Sequence, residues 1–248
     1  MIVNPLRARL RAGEAVRGCF VRSPDPDLAE FVAAAGWDFL VFDGEHGRIA
    51  STDVADLARA AEVRGVSPIA RVPRNEPSTI LRFLDAGVHG IHVPWVNTPD
   101  EARQVIEAAK YRPEGFRGLA GNRSIDWRVT PETVTQANAE TMVIIHIETA
   151  DAVEEIDGFL EVAGIDVLFV GPTDLSHSLG HPGRRDHPEV VAAIERVAQA
   201  VVDSPVAFGI YAGDSATARR WIERGARYVT TGIESLLGPA MGEYLERT

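Results

Sequence analysis

Cysteine is almost absent from this sequence: its 248 residues contain one, Cys19. A lone thiol excludes a disulfide framework and any zinc cluster built on cysteine pairs. Lysine is as scarce. Of the 25 basic side chains 24 are arginine, and the single lysine is Lys110. It closes the helical-looking run Pro99-Asp-Glu-Ala-Arg-Gln-Val-Ile-Glu-Ala-Ala-Lys110, far from a strand end, so imine chemistry has no well-placed amine. No apolar run approaches the roughly 18 residues of a membrane span. The first 17 residues carry four arginines and no apolar core, unlike a secretory signal. Neither Gly-x-Gly-x-x-Gly nor a P-loop pattern occurs. Positive charge is in deficit, with 36 acids against 25 bases and a net charge of −11, which argues against binding a phosphate backbone. A cytoplasmic protein acting on small molecules, with neither nucleic acid nor membrane as partner, is the expectation.

What is present is a regular alternation. Short apolar runs at 16–21, 38–43, 67–71, 90–93, 142–147, 166–170, 206–211 and 227–231 read as strands. Several, such as Phe39-Leu-Val-Phe42, are apolar without a break, as strands covered on both faces are. Amphipathic stretches at 27–35, 52–64, 77–86, 100–110, 150–162, 188–202 and 215–224 read as helices between them, with caps at Ser51 or Thr52 and at Thr98. Gly36, Gly65, Gly87, Gly164 and Gly225 each stand where a left-handed residue ends a helix. Eight units over residues 1–248 suit a single (β/α)8 barrel domain, with a doubly wound open sheet as the alternative. The segment 111–140 reads as one long loop, and 235–245 as the eighth helix or an arm packing on a neighbour.

In a barrel the chemistry gathers where strands end. The second strand ends Val41-Phe-Asp43-Gly-Glu45-His46, the third Ile69-Ala-Arg71, the fifth His146-Ile-Glu148 and the sixth Gly171-Pro172-Thr173-Asp174; the fourth, Val93-Pro94-Trp95, leaves a gap. Glu148 and Asp174 come from neighbouring strands, and two carboxylates on one site call for a proton or a cation between them. Oxygen ligands without cysteine favour Mg²⁺ or Mn²⁺, with Co²⁺ or Zn²⁺ as further options; the plainer reading makes each a helix cap. His46, beside Asp43 and Glu45, suits a general base whose ring a carboxylate orients, or is a loop histidine with local bonds only. Arg71 closes an apolar strand, where a guanidinium needs an anion: a substrate oxyanion, or Asp43 or Glu45 in a structural pair. His146, two residues before Glu148, points to the same side and supports it from behind. His177, His181 and His187 read as loop residues, and Ser124 and Ser176 lack a triad partner.

These strand ends resemble the metal-dependent pyruvate aldolases of the HpcH/HpaI group. The matching blocks are Gly36-Trp-Asp-Phe-Leu-Val-Phe-Asp-Gly-Glu-His-Gly47, Ala70-Arg-Val-Pro73, Asp85-Ala-Gly87, Gly115-Phe-Arg-Gly118, Ile147-Glu-Thr149 and Phe169-Val-Gly-Pro-Thr-Asp-Leu-Ser176, in order from about residue 15 onward. The resemblance implies that Glu148 and Asp174 ligate a divalent metal and that Arg71 holds a pyruvate carbonyl. It makes His46, oriented by Asp43, an acid/base, and seats the pyruvate carboxylate at Gly171, Pro172 and Thr173. It places Asp85 at the acceptor end or a subunit interface, and implies a homo-oligomer, commonly a hexamer built as a trimer of dimers with an exchanged C-terminal helix. The implied reaction joins pyruvate reversibly to an aldehyde. Barrels of this kind that decarboxylate oxaloacetate, or condense it with an acyl-CoA, are the alternative, and a binder of 2-oxo acids without turnover is a third. Two departures stand out. The family usually has Gln at the position of His146, and segment 117–127 is about two residues shorter than the common form. That loop is expected to face the acceptor, with Arg123 gripping it.

Overall fold

The apolar runs become eight strands in a computed structural model that describes residues 3–202 and 204–248. They are β1 (Val16–Val21), β2 (Phe39–Asp43), β3 (Ser67–Arg71), β4 (Gly90–Val93), β5 (Met142–Ile147), β6 (Val167–Val170), β7 (Ala207–Tyr211) and β8 (Tyr228–Gly232). All pairs are parallel and follow chain order, and β8 closes on β1, so the open-sheet alternative falls away. Side chains alternate across each strand, which sorts the core into two layers. Cys19, Leu40, Phe42, Ala70, Ile91 and Ile145 face the surrounding helices. Val16, Phe20, Phe39, Val41, Ile69, Met142, Ile144, Val167, Phe169 and Tyr228 fill the barrel, and Leu6 of the helix Pro5–Arg11 joins them. Gly18 makes room for this filling: a Cβ there would stand 2.1 Å from the Phe39 ring, which stacks on Tyr228 at 4.3 Å.

Register carries this alternation to the rim. Asp43 is two residues beyond Val41 and is paired with Arg71, which is paired with His92. The inward stripe of apolar residues therefore ends in a ring of polar ones. The glycines expected after helices are all left-handed, Gly36, Gly65, Gly87, Gly164 and Gly225 having φ between 72° and 103°, although Gly164 stands beyond the helix Ile156–Leu160, which has Glu161 as its cap, and does not end it.

Several local expectations differ from the structure. The helix Val54–Glu62 starts after Asp53, not Ser51 or Thr52: residues 50–53 form a separate turn, closed by the Asp53 N–H to the Ala50 carbonyl at 3.0 Å and by the Ala50 N–H to the Asp53 carboxylate at 2.8 Å. The stretch 150–162 is two helices, Ala150–Glu154 and Ile156–Leu160, and Pro172–Ser178 is a further short helix. The segment 111–140 is not one loop. It holds a 3-10 turn at Arg123–Ile125 and the helix Pro131–Glu140, started by a Thr130–Thr133 capping box. It joins the end of the helix Pro99–Ala109 to the start of β5, so it lies at the N-terminal end of the barrel. The final helix, Ile233–Arg247, buries no residue and leaves Leu236, Leu237, Met241, Tyr244 and Leu245 exposed.

Candidate active site

Arg71 organises one half of the rim. Its Nε and Nη2 grip the two oxygens of Asp43 at 2.8 and 2.6 Å, and its Nη1 lies 2.8 Å from Glu45 Oε2, near enough for an ion pair though not aligned as a hydrogen bond. Its guanidinium also sits over the Phe20 ring, 5.0 Å from the centroid. Asp43 is fully buried and further accepts the backbone N–H groups of Glu45 and His46, both at 3.1 Å, and Arg22 Nε at 3.2 Å. Burial alone would raise the Asp43 carboxyl, but the Arg71 fork reverses this and holds it below the usual carboxylate range. At Glu45 burial, opposed by Arg71 and reinforced by Glu148, raises the carboxyl.

Asp43 thus shapes the turn that carries His46 and does not hold its ring. The carboxylate oxygens are taken by Arg71, Arg22 and two backbone amides, and the imidazole stands exposed at the mouth. That differs from the expected carboxylate–imidazole pair. The structural pairs weighed for Arg71 are present with both Asp43 and Glu45. A guanidinium has five N–H donors, so these contacts leave others for a ligand.

The other half is built on Glu148, just past β5. Its Oε2 pairs with His146 Nδ1 at 3.0 Å, and its Oε1 accepts the Trp95 N–H at 2.7 Å. Burial works against its charge, but the His146 ring, the Trp95 amide and nearby Arg71 outweigh burial and hold the carboxyl below its ordinary value. Trp95 has φ +56°, a left-handed conformation unusual for an aromatic residue, and its indole Nε1 reaches Glu45 Oε1 at 2.9 Å. The gap assigned to the fourth strand is therefore filled by a backbone amide, which no side-chain pattern discloses. Asp174 lies in the first turn of Pro172–Ser178.

Glu148 and Asp174 meet across Gly171. A Cβ on that glycine would stand 3.4 Å from Glu148 Oε2 and 3.7 Å from Asp174 Oδ2. The bare backbone leaves both carboxylates open to one space, a cavity of about 390 Å³ that His46, Arg71, His146, Pro172 and Thr173 also line. Arg22, Arg185 and Tyr211 line it as well and were not singled out by sequence; Tyr211 ends β7, where the strand-end rule points. Two more unforeseen residues lie beneath. His92 bridges His146 and Tyr228, its Nδ1 2.9 Å from His146 Nε2 and its Nε2 2.8 Å from the Tyr228 hydroxyl. Their signal was present: His92 is the inward, polar position of an otherwise apolar β4.

Asp85 and Arg123 are not brought to this cavity. Asp85 ends the helix Pro77–Asp85 and bonds Arg117 at 2.6 Å and Asn122 at 2.9 Å. Arg123 bonds the Gly87 carbonyl at 3.0 Å and pairs with Glu62. These partners all stand where helices end and strands begin, at the far end of the barrel. Segment 117–127 is there too, and so does not face the acceptor within one chain. Ser176 donates to the Thr173 carbonyl at 2.6 Å. His181, His187 and Glu189 bring donor atoms within 4.8 Å of one another, but they already satisfy each other: His181 bonds the Glu189 carboxylate at 2.8 Å and His187 Nδ1 accepts its N–H at 3.4 Å.

The sequence pattern of the family described as HpcH/HpaI aldolase/citrate lyase matches residues 17–237. The chain belongs to the HpcH/HpaI family. It is 36% identical to a hydroxypyruvate/pyruvate aldolase of Cupriavidus necator over 94% of this chain and 88% of that protein. It is 35% identical to a 4-hydroxy-2-oxo-heptane-1,7-dioate aldolase of Escherichia coli, over 94% and 90%. Among solved structures, an HpcH/HpaI aldolase/citrate lyase family protein of Burkholderia cenocepacia superposes with a TM-score of 0.94 at 37% identity, covering 99% of each chain. Citrate synthase SbnG superposes at 0.87 with 30% identity over 98% of each. This places the HpcH/HpaI chain among carbon–carbon lyases and their condensing relatives.

The residues fit a divalent cation of the kind the family suggests. Two carboxylates face one uncrowded space, and the only thiol is buried in the outer apolar layer. Each Glu148 oxygen takes one protein hydrogen bond, which leaves lone pairs free. Such an oxygen set suits a hard cation.

Proposed function

We propose that the chain is a divalent-metal-dependent lyase that reversibly adds pyruvate to an aldehyde and cleaves 4-hydroxy-2-oxo acids. The observation that carries this reading is the meeting of Glu148 and Asp174 across Gly171, in one cavity with Arg71. Glu148 and Asp174 hold the cation, with Mg²⁺ or Mn²⁺ the expected occupant and Co²⁺ or Zn²⁺ usable. When bound, the cation supplies Lewis-acid stabilisation to a developing enolate oxygen. Arg71, kept rigid by Asp43 and Glu45, adds a second positive charge to the same oxygen. The turn Gly171-Pro172-Thr173 seats the pyruvate carboxylate. His46, exposed at the mouth, gives a proton to the new alkoxide, directly or through water, and takes it back in cleavage.

Homology to a hydroxypyruvate/pyruvate aldolase and to a 4-hydroxy-2-oxo-heptane-1,7-dioate aldolase supports the aldol reading, and likeness to citrate synthase SbnG keeps a condensing reaction in view. Proton NMR of pyruvate in D₂O separates them. Chelator-stripped protein given Mg²⁺ or Mn²⁺ should lose the methyl signal, and Glu148→Ala should not. Absence of exchange with every metal, together with turnover of oxaloacetate alone or with an acyl-CoA, would replace the aldolase by a decarboxylase or synthase. Binding without turnover of any of these would leave a sensor.

A homo-oligomer, expected as a hexamer, accords with the uncovered apolar side chains of Ile233–Arg247. It would also give Asp85 and Arg123 a route to an acceptor, in a neighbour's mouth. Light scattering on the eluted protein tests it. No helix among the described residues is long and apolar enough to cross a membrane, and the lone buried Cys19 accords with the cytoplasm.

A further inference from the structure

A buried line of polar side chains runs down from Glu148 into the barrel: His146, His92 and Tyr228, linked at 3.0, 2.9 and 2.8 Å. All three are at most 1% exposed, and the His92 ring is packed among Phe20, Phe169, His146 and Tyr228, with centroids 5.0–5.7 Å away. We propose that Tyr228, His92 and His146 form a one-way hydrogen-bond chain whose direction is forced by their surroundings. It presents an N–H to Glu148 and so sets which carboxylate lone pairs are left for the cation. The three are positioning residues for the metal centre proposed above, and this inference rests on that reading.

The direction follows link by link. The buried Tyr228 hydroxyl meets His92 Nε2 at 2.8 Å, and a buried O–H without an acceptor is costly. Tyr228 therefore donates, and His92 Nε2 accepts. A charged imidazolium in this aromatic box, with no carboxylate in contact, would be costlier still, so His92 is neutral and carries its proton on Nδ1. His92 Nδ1 donates to His146 Nε2, which must accept. The His146 proton is then on Nδ1 and points to Glu148, a carboxylate that can only accept. No other arrangement of protons satisfies every atom in the line. Oε2 is thereby held by one donor and Oε1 by the Trp95 amide, and it is Oε2, 3.4 Å from where a Gly171 Cβ would stand, that keeps a lone pair on the side shared with Asp174. A glutamine at position 146 has the same polarity, an N–H to give and a carbonyl to accept, whereas an apolar residue has neither.

Long-range proton–nitrogen NMR on metal-free, ¹⁵N-histidine-labelled protein reads the tautomers directly. Both His92 and His146 should carry the proton on Nδ1, the less common form for a free imidazole. A proton on Nε2 of either ring overturns the proposal, and this reading needs no variant and no activity. Mn²⁺ titration followed by electron paramagnetic resonance then tests the consequence. His146→Leu should weaken Mn²⁺ binding by about tenfold or more, the scale of lost support behind a ligand. His146→Gln should recover most of that loss, and Tyr228→Phe should weaken binding several-fold and redistribute the His92 tautomers. Equal weakness of the Leu and Gln variants, or wild-type affinity in Tyr228→Phe, would reduce the line to core packing. Failure of pyruvate exchange with the tautomers and Mn²⁺ affinities as expected would sink the aldolase and leave this chain standing.

Discussion

The two ends of the barrel hold much the same chemical groups and use them differently. At the N-terminal end Arg117 pairs with Asp85, Arg7 with Asp166 and Arg123 with Glu62, and Lys110 gives its ammonium to the carbonyls of Asn138 and Thr141 at 2.6 and 2.7 Å. At the C-terminal end Arg71 pairs with Asp43 and Glu45, and Glu148 with His146. Buried ion pairs therefore do not mark the site. What marks it is acceptor capacity left over: Glu148 and Asp174 turn oxygens toward an open cavity floored by a glycine. The carboxylates named at the far end are directed at arginines, an asparagine or a histidine.

The largest effect expected from this contrast is at Glu148. Glu148→Ala should remove metal-dependent exchange of the pyruvate methyl while the chain still folds to the same barrel, as far-UV circular dichroism would show. It should also lower the Glu45 carboxyl pKa, since after burial and against Arg71 the Glu148 charge helps to raise it. Carbon-detected NMR of the Glu45 carboxyl follows that shift. Retained exchange in this variant would erase the distinction between the two ends.

Arg71→Ala comes next and should damage both chemistry and stability. Loss of one oxyanion donor costs about 10²–10³ in kcat. Asp43, left buried without its fork, should lower stability by about 3–5 kcal/mol. The paired Asp43 has a depressed folded pKa, so its contribution is present above the ordinary carboxylate range and is lost as pH falls through the folded value. Denaturant midpoints of wild type and variant should therefore converge in acid. A gap independent of pH would mean that Arg71 acts by packing alone.

Lys110→Met should do the opposite: lower stability by about 2–4 kcal/mol, through two carbonyls left unbonded, with kcat/KM unchanged. The folded amine is pushed by burial from 10.5 to about 8, so the unfolded chain holds the extra proton between those values. Stability contributed by this group rises as pH increases from about 8 to 10.5, and is lowest below 8. The wild-type advantage over the variant should widen across that window in urea titrations. A fall in turnover with the fold intact would link the two ends.

Much of this contrast is legible in the sequence. Short apolar runs, several of them unbroken, place Asp43, Arg71 and Glu148 at strand ends, and eight such units with helices between them suit a closed barrel. Two kinds of feature escaped. Backbone donors such as the Trp95 amide depend on a φ of +56° that follows from tertiary context, not from residue type. His92 and Tyr228 acquire meaning only from register, which brings separate strands to one line. The error over segment 117–127 was of another sort. A segment between a helix and the next strand lies by topology at the N-terminal end, and that rule was available from the order of elements alone.

The smallest effect separates the ends most finely. Arg123 is partly buried, pairs with Glu62 and bonds the Gly87 carbonyl, far from the cavity of its own chain. Arg123→Ala should cost about 1 kcal/mol, as a partly exposed ion pair does, and should leave pyruvate methyl exchange unchanged, because enolate formation uses only the C-terminal rim. Aldol addition is the sharper assay. If the residue serves stability alone, kcat/KM for every aldehyde stays at the wild-type value. If instead KM rises for carboxylate-bearing aldehydes while exchange holds, the arginine reaches an acceptor, and since it cannot do so within one chain, the mouth must be completed by the N-terminal end of a second copy.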